Sequence, residues 1–467
     1  MKSCALGLVP MLLLAGCATG PLEIPATKPI PASWRNAADF PVAAPDRDLA
    51  RWWQSFGDPT LNRLIARGLA QSPDVAIAIA RVRESRAARD ATAASLFPTL
   101  SGSTSGRAGF ADIRGTGYST SESYSAGLSA SWEVDLYGRN RNNVLAASAQ
   151  VGASEEAFHS VQASLAAEIA STYVRLRSSE AALDVLRRNL ETQQETFQFV
   201  SWRTQAGEAD QYEEIQARTN LEQAQGAIPS ILQSIEQTRN QLNRLCGADP
   251  GTLDGMLGDR TADVPVPSSK LAIGVPADTV RQRPDVRIAG YQLLASAARN
   301  EAAYTERFPS LALSGSLGLS SLRAGKIFDP QSITGSIVAG LAGPIFDAGR
   351  IRANIEASDA ATDQALEAYR SSILLALSEV EDALIAARRS AERLEIIRNA
   401  TVLARESDRI ARLQFEAGEL DFLSVLDSQR TLLSLEDSLL STQADRSNAY
   451  IGLYQALGGG WSAATGS

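Results

Sequence analysis

Apolar positions recur along this chain with two different periods, and the two alternate in a fixed order. Leu61, Leu64, Ile65, Leu69, Val75, Ile79 and Val82 follow helical spacing. That pattern stops at Phe97-Pro98, because the residue before a proline avoids the α region. From Tyr124 the period becomes two: Tyr124, Ala126, Leu128, Ala130, Trp132, Val134 and Leu136 alternate with Ser125, Gly127, Ser129, Ser131, Glu133 and Asp135. This predicts a strand with one apolar face. A weaker strand over 99–110 and a Gly/Ser/Thr-rich loop over 111–121 would complete a hairpin. A second hairpin is predicted from Leu311, Leu313, Gly315, Leu317 and Leu319, a loop around 323–330, and a return strand carrying Ile333, Ile337, Ala339, Leu341 and Ile345. The strand from Tyr124 exceeds globular length but suits a tilted membrane-spanning strand. Trp132, Tyr137, Phe308 and Phe346 sit near strand ends, where an aromatic girdle would lie. Four strands cannot close a barrel within one chain, so they demand partners.

A long helix is predicted after each hairpin. Leu176, Leu183, Leu190 and Phe197 are spaced by seven, with Leu186 and Val200 three residues after Leu183 and Phe197. In the second half Ile373, Leu377, Val380, Leu384, Ala387, Ala391 and Leu394 step by four and three, a coiled-coil seam. Neither 142–204 nor 351–415 contains proline. Each stretch of roughly 63 residues would reach about 95 Å as a helix. Gly207 and Gly418 are placed to end these helices. Returning helices are predicted over 211–245, where Pro229 would introduce a kink, and over 421–457.

The two halves are one unit duplicated. Ser72-Pro73-Asp74-Val75 returns as Arg283-Pro284-Asp285-Val286, Phe97-Pro98 as Phe308-Pro309, Gly138-Arg139 as Gly349-Arg350, and Ala206-Gly207-Glu208 as Ala417-Gly418-Glu419. Every pair has the same displacement (418 − 207 = 211). A constant displacement marks a tandem repeat, and a repeat fixes the architecture. The domain reading is a signal peptide over 1–16, a lipid anchor and Pro-rich tether over 17–50, repeat one over 51–246, a linker over 247–276, repeat two over 277–458, and a tail over 459–467.

Composition narrows the function. Lys2 and a short apolar run over 6–14 form a processing signal too short to span a bilayer. It ends in Leu14-Ala15-Gly16-Cys17, which resembles a bacterial lipobox and implies cleavage before Cys17 and lipidation of its thiol. In lipoproteins of that kind an Asp after the Cys tends to retain the protein in the inner membrane. Ala18 stands there and fits export to the outer membrane. Cys4 would leave with the signal, so Cys246 remains alone, with no intrachain disulfide and no Cys metal cluster. A formal net charge of −9 argues against a nucleic-acid partner. No stretch downstream of the signal suits a transmembrane helix, so any membrane crossing must use strands. His159, the only histidine, starts a long helix and is read as structural or solvated. No phosphate-binding Gly loop, Cys/His metal spacing or catalytic set is visible, so neither an enzyme nor a cofactor is expected.

The order helix, β-hairpin, long helix, turn, returning helix, together with Trp52-Trp53-Gln54-Ser55-Phe56-Gly57-Asp58-Pro59-Thr60-Leu61, Arg283-Pro284-Asp285-Val286, Phe308-Pro309-Ser310-Leu311, and Gly418 with Leu426-Asp427-Ser428-Gln429-Arg430, resembles the TolC/OprM-type outer-membrane efflux proteins, in their lipoprotein branch. The resemblance implies an α+β membrane protein. Three protomers would give four strands each to a twelve-stranded barrel, and their helical hairpins would form a periplasmic α-barrel. It implies a homotrimeric exit duct for small molecules, working with a periplasmic adaptor and an inner-membrane proton-driven pump. The positions matching the family's constriction are Leu423 and Asp427, with Arg430 nearby; their counterparts in repeat one are Tyr212 and Gln216, so only one repeat would supply an acidic ring. On residue pattern alone, Asp427 and Arg430 could equally be a solvated i, i+3 ion pair. Gly207, Glu208, Gly418 and Glu419 mark the tips expected to meet the adaptor. A polypeptide-secretion duct and a non-pore periplasmic coiled-coil adaptor are the alternatives. The paired amphipathic hairpins argue against the second.

Overall fold

A computed structural model describes residues 30–37, 49–113, 117–258, 263–267 and 276–461. The expected signal peptide, Cys17, most of the expected tether, part of the expected linker and residues 462–467 lie outside the described residues. The helices in chain order are α1 (Pro59–Gln71), α2 (Pro73–Ala93), α3 (Arg139–Ala206), α4 (Gln211–Leu245), α5 (Asp254–Leu257), α6 (Pro276–Gln282), α7 (Pro284–Tyr304), α8 (Arg350–Glu416) and α9 (Phe422–Ala456). The strands are β1 (Thr99–Ile113), β2 (Gly117–Val134), β3 (Ser310–Ser321) and β4 (Ile333–Ala342). The duplication is visible in these bounds. Displaced by 211 residues (284 − 73, 422 − 211), α2 falls on α7 and α4 on α9, end for end.

The chain divides into two compact units. One holds the described residues within 83–153 and 289–369; the other holds those within 28–82, 154–288 and 370–467. In the first, the strands form one antiparallel sheet in the order β1-β2-β3-β4. The β1–β2 pairing runs unbroken from Thr99↔Ser131 to Ile113↔Gly117. The loop expected over 111–121 is therefore mostly strand. Gly, Ser and Thr hide a period-two signal, and a long ladder satisfies backbone groups that a polar loop would leave to water. Leu100, Leu128, Leu317, Ile337 and Leu341 share one face of the sheet and are exposed. Among the described residues the outer strands β1 and β4 each have an unpaired edge. An apolar face and two free edges together are a liability in water and an asset in a closed membrane barrel.

In the second unit the core gathers Leu61, Leu64, Ile65, Ile169, Tyr173, Leu242, Leu245 and Leu453 with Trp52 and Trp53. Asp58 caps α1, accepting the Thr60 and Leu61 N–H groups, while Pro59 occupies the first turn. The other Asp58 oxygen accepts the Tyr173 hydroxyl at 2.7 Å. Trp52 stacks on Tyr454 with ring centroids 5.1 Å apart. Of the predicted seam positions, Leu176, Leu183, Val200, Ile373, Val380, Leu384, Ala387 and Leu394 are buried, while Leu186, Leu190, Phe197, Leu377 and Ala391 are half-buried. Helix α4 passes through Pro229 as one helix. Part of the tether is fastened rather than free. Trp34 is buried, and the N–H groups of Arg35 and Asn36 donate to the Glu381 carboxylate on α8.

Candidate functional site

The predicted tips are built alike in both repeats. Gly207 and Gly418 adopt φ of +78° and +74°, a left-handed conformation that costs glycine little. Glu208 N–H donates to the Arg203 carbonyl, and Glu419 N–H to the Gln414 carbonyl, each at 2.8 Å. These bonds close the last turns of α3 and α8. Asp210 and Asp421 then cap α4 and α9, accepting the Glu213 and Ser424 N–H groups. Hydrogen bonding to Ser424 holds the Asp421 carboxyl below the usual carboxylate range. Gly207, Glu208, Gly418 and Glu419 are all exposed.

Just inside the second tip, α9 presents two faces. Phe422, Val425 and Leu426 are buried with Phe415, Val200 and Ala217 in a small apolar cluster. Leu423, Asp427 and Arg430 are exposed on the other side. Arg430 donates to Asn220 of α4 at 3.2 Å instead of closing an ion pair with Asp427. Among the described residues Asp427 has no hydrogen-bond or ion-pair partner. Tyr212, the counterpart of Leu423 in repeat one, is also exposed.

A buried polar interlock joins α9 to α3. The Gln429 carbonyl oxygen accepts from Gln193 Nε2 at 3.0 Å, and Gln429 Nε2 donates to Thr196 Oγ1 at 3.2 Å. All three side chains are buried. A second buried polar group links α8 to α9: Asp408 pairs with Arg412 at 2.6 Å and accepts weakly from Ser428 at 3.4 Å. Sequence reading missed both, because Gln and Asp on a long helix look like a solvated face. Their seam register was the available signal: Asp408 lies seven residues after Thr401 and seven before Phe415, which are also buried. Deeper in the same unit, Arg177 is fully buried and donates to Glu180 and to the Leu257 carbonyl, while its Nε has no partner among the described residues; the guanidinium lies 4.9 Å from the Tyr173 ring centroid. Arg239 reaches the second Glu180 oxygen at 3.1 Å. Cys246 is buried, and burial pushes its thiol up to about 11.

The sheet face opposite the apolar one is hydroxyl-lined. Ser101, Ser129, Ser316 and Ser336 fall in register across all four strands. Ser101 and Ser129, and Ser316 and Ser336, are hydrogen-bonded at 2.8 Å. The next row contributes Thr99 and Ser131, bonded at 2.9 Å, and Ser314. Val338 completes that row on β4, so the face is mainly hydroxyl where the other is mainly aliphatic, the alternation of a barrel wall with lipid on one side and water on the other.

Duplicated helical hairpins, two two-faced β-hairpins and small capped tips define a subunit of an outer-membrane channel. The comparisons agree. The profile of the outer membrane efflux protein family matches residues 64–248 and 275–459, and the chain belongs to that family. The two matched segments carry the same displacement as the internal repeat (275 − 64 = 211). The chain is 32% identical to the solvent efflux pump outer membrane protein SrpC of Pseudomonas putida, over 99% of both chains. It is 31% identical to the pyoverdine export outer membrane protein OpmQ of Pseudomonas aeruginosa, over 96% of this chain and 95% of that one. Among solved structures, the outer-membrane channel OprN matches with a TM-score of 0.87 at 31% identity, covering 95% of this chain and 100% of that one. The family is one of channels and not of enzymes, and its place is the outer membrane.

Proposed function

We propose that this protein is the passive outer-membrane exit duct of a tripartite efflux system, carrying small organic molecules delivered by a proton-driven inner-membrane pump through a periplasmic adaptor. The observation that carries this reading is the two-faced sheet with free edges at β1 and β4, on a chain whose relatives are efflux outer-membrane proteins. Three copies joined edge to edge would give twelve strands, with the serine rows facing water and the leucines facing lipid. An exposed apolar line on α8 supports the same association. Leu374, Ile385, Ile396, Leu403 and Ile410 are spaced by 11, 11, 7 and 7, which keeps them on one face for a neighbouring copy. Cys17 would carry the lipid.

Leu423 and Asp427 are assigned to the constriction and Arg430 to its support. Threefold symmetry makes Leu423 an apolar ring and Asp427 a carboxylate ring, which would resist wetting and favour cations respectively. Widening such a ring moves α9 away from α3 and α4, so the Gln193–Gln429–Thr196 interlock and the Arg430–Asn220 bond resist opening. The tips at Gly207, Glu208, Gly418 and Glu419 receive the adaptor. A deletion strain and its complemented parent, challenged with drugs, dyes, detergents and metal salts, test the cargo. Hypersensitivity to several unrelated organic compounds is expected. Sensitivity restricted to metal salts, or a loss of secreted polypeptide with no change in sensitivity, overturns the assignment.

A further inference from the structure

We propose that the hollow between the end of α7 and the β4–α8 connection binds the phosphate of an anionic phospholipid headgroup. The hollow measures about 520 Å³ and is walled by Tyr304, Arg307, Pro344, Ile345, Phe346 and Arg352. The inference rests on the outer-membrane placement of the sheet.

Depth comes first. Ser310 pairs with Ala342 at the helix-bearing end of the sheet, and Leu311 with Leu341 forms the last aliphatic row. Ile345 and Phe346 follow Ala342 by three and four residues, so they lie no farther than about 13 Å beyond the strand end at ~3.3 Å per residue. The headgroup layer is about 5–8 Å deep on each side of the hydrocarbon core. The hollow therefore opens in or beside that layer. Ile345 is fully exposed and Phe346 is 89% exposed, an arrangement that water penalises and acyl chains reward.

Charge comes second. Among the described residues neither Arg307 nor Arg352 has a carboxylate partner. Arg307 lies over the Tyr304 ring at 4.6 Å, and its Nε points to the Tyr304 carbonyl at 3.4 Å. Arg352 is exposed. Asp347 also lines the hollow, and it and the neighbouring acids are hydrogen-bonded or ion-paired. Asp347 accepts the Gly349 and Ile351 N–H groups, Asp359 accepts from Asn300 and Tyr304, and Glu306 faces Arg350 at 3.7 Å. Two guanidinium groups without a carboxylate partner, beside two bare apolar side chains, match an amphiphile with an anionic head. The phosphate would sit between Arg307 and Arg352, and the first acyl methylenes over Ile345 and Phe346.

Native mass spectrometry of the delipidated full-length protein in detergent, titrated with phosphatidylglycerol, phosphatidylcholine of the same chains, and inorganic phosphate, tests this. Wild type should retain phosphatidylglycerol at least tenfold more tightly than phosphatidylcholine, and Arg307→Gln/Arg352→Gln should lose that preference. If the double variant fails to assemble, Arg352→Gln alone should weaken phosphatidylglycerol at least threefold, and Phe346→Ser should weaken both lipids together. Equal retention by wild type and Arg variants overturns the proposal. So does equal retention of the two lipids by wild type. Displacement of the lipid by inorganic phosphate at matched concentration would make this a soluble-anion site and overturn the lipid assignment. If wild type shows no heat-sensitive oligomer and no outer-membrane fractionation, it is the channel reading that fails, so the two failures are distinguishable.

Discussion

Replacing Gln429 by leucine isolates the interlock between the two helical hairpins. The side chain is 4% exposed and makes two hydrogen bonds to α3, one through each end of its amide. In Gln429→Leu, Thr196 keeps its bond to the Thr192 carbonyl, but Gln193 is left buried with an amide donor that has lost its acceptor. Its own carbonyl oxygen already lacks a partner among the described residues. An orphaned buried polar group costs about 1–3 kcal/mol, partly offset here by the apolar leucine. Taking ~2 kcal/mol per chain, the balance between packed and separated α9 shifts roughly thirtyfold towards separation. The double variant Gln193→Leu/Gln429→Leu removes both partners, and an apolar pair of similar volume is nearly neutral. Planar-bilayer conductance without adaptor should therefore rise in the single variant and return towards wild type in the double. Entry of a bulky antibiotic normally excluded by the outer membrane should follow the same order. A single variant that assembles normally and conducts like wild type would refute the reasoning. A double variant leakier than the single would do so too.

Two further outcomes follow from burial and from the sheet. Cys246, buried with its thiol raised to about 11, should resist a membrane-impermeant thiol reagent until the protein is denatured; against that silent background Ser316→Cys should label from water and Leu317→Cys should not, and the reverse would invert the assignment of the faces. Glu156 is buried against Arg287 at 2.7 Å, and burial raises its carboxyl above the usual range despite Arg287 and His159, with Glu155 adding to the rise. A raised folded-state value contributes stability below the ordinary carboxylate range that is lost as pH rises through the folded value. The melting temperature of Glu156→Gln relative to wild type should accordingly increase between pH 4 and pH 7, and a constant difference would count against the shift.

Much of the fold was legible because its punctuation is local. Gly207 and Gly418 terminate helices by a conformation that suits glycine, Asp210 and Asp421 restart them, and the observed α4 and α9 begin where those residues dictate. The seam leucines announced α3 and α8 because a seven-residue repeat is long enough to rise above noise. The hairpin of β1 and β2 was less clear, since serine and glycine occupy both loops and barrel walls. Only the cross-strand register shows that Ser101, Ser129, Ser316 and Ser336 form one row. The interlock and the buried Arg177 were hidden for another reason. A Gln or Arg on an amphipathic helix is polar in composition wherever it points, and its partner lies on another helix. Asn220, which takes Arg430 away from Asp427, is 210 residues distant in the chain (430 − 220).

In the proposed duct, three copies make a conduit closed at Leu423 and Asp427. Planar-bilayer conductance of Leu423→Ala/Asp427→Ala beside wild type tests it most directly. Small, brief, cation-favouring openings are expected from wild type, and large, steady currents with a weaker preference for cations from the double variant, which lacks the carboxylate ring. Identical currents from both proteins, each verified as assembled and inserted, would contradict it.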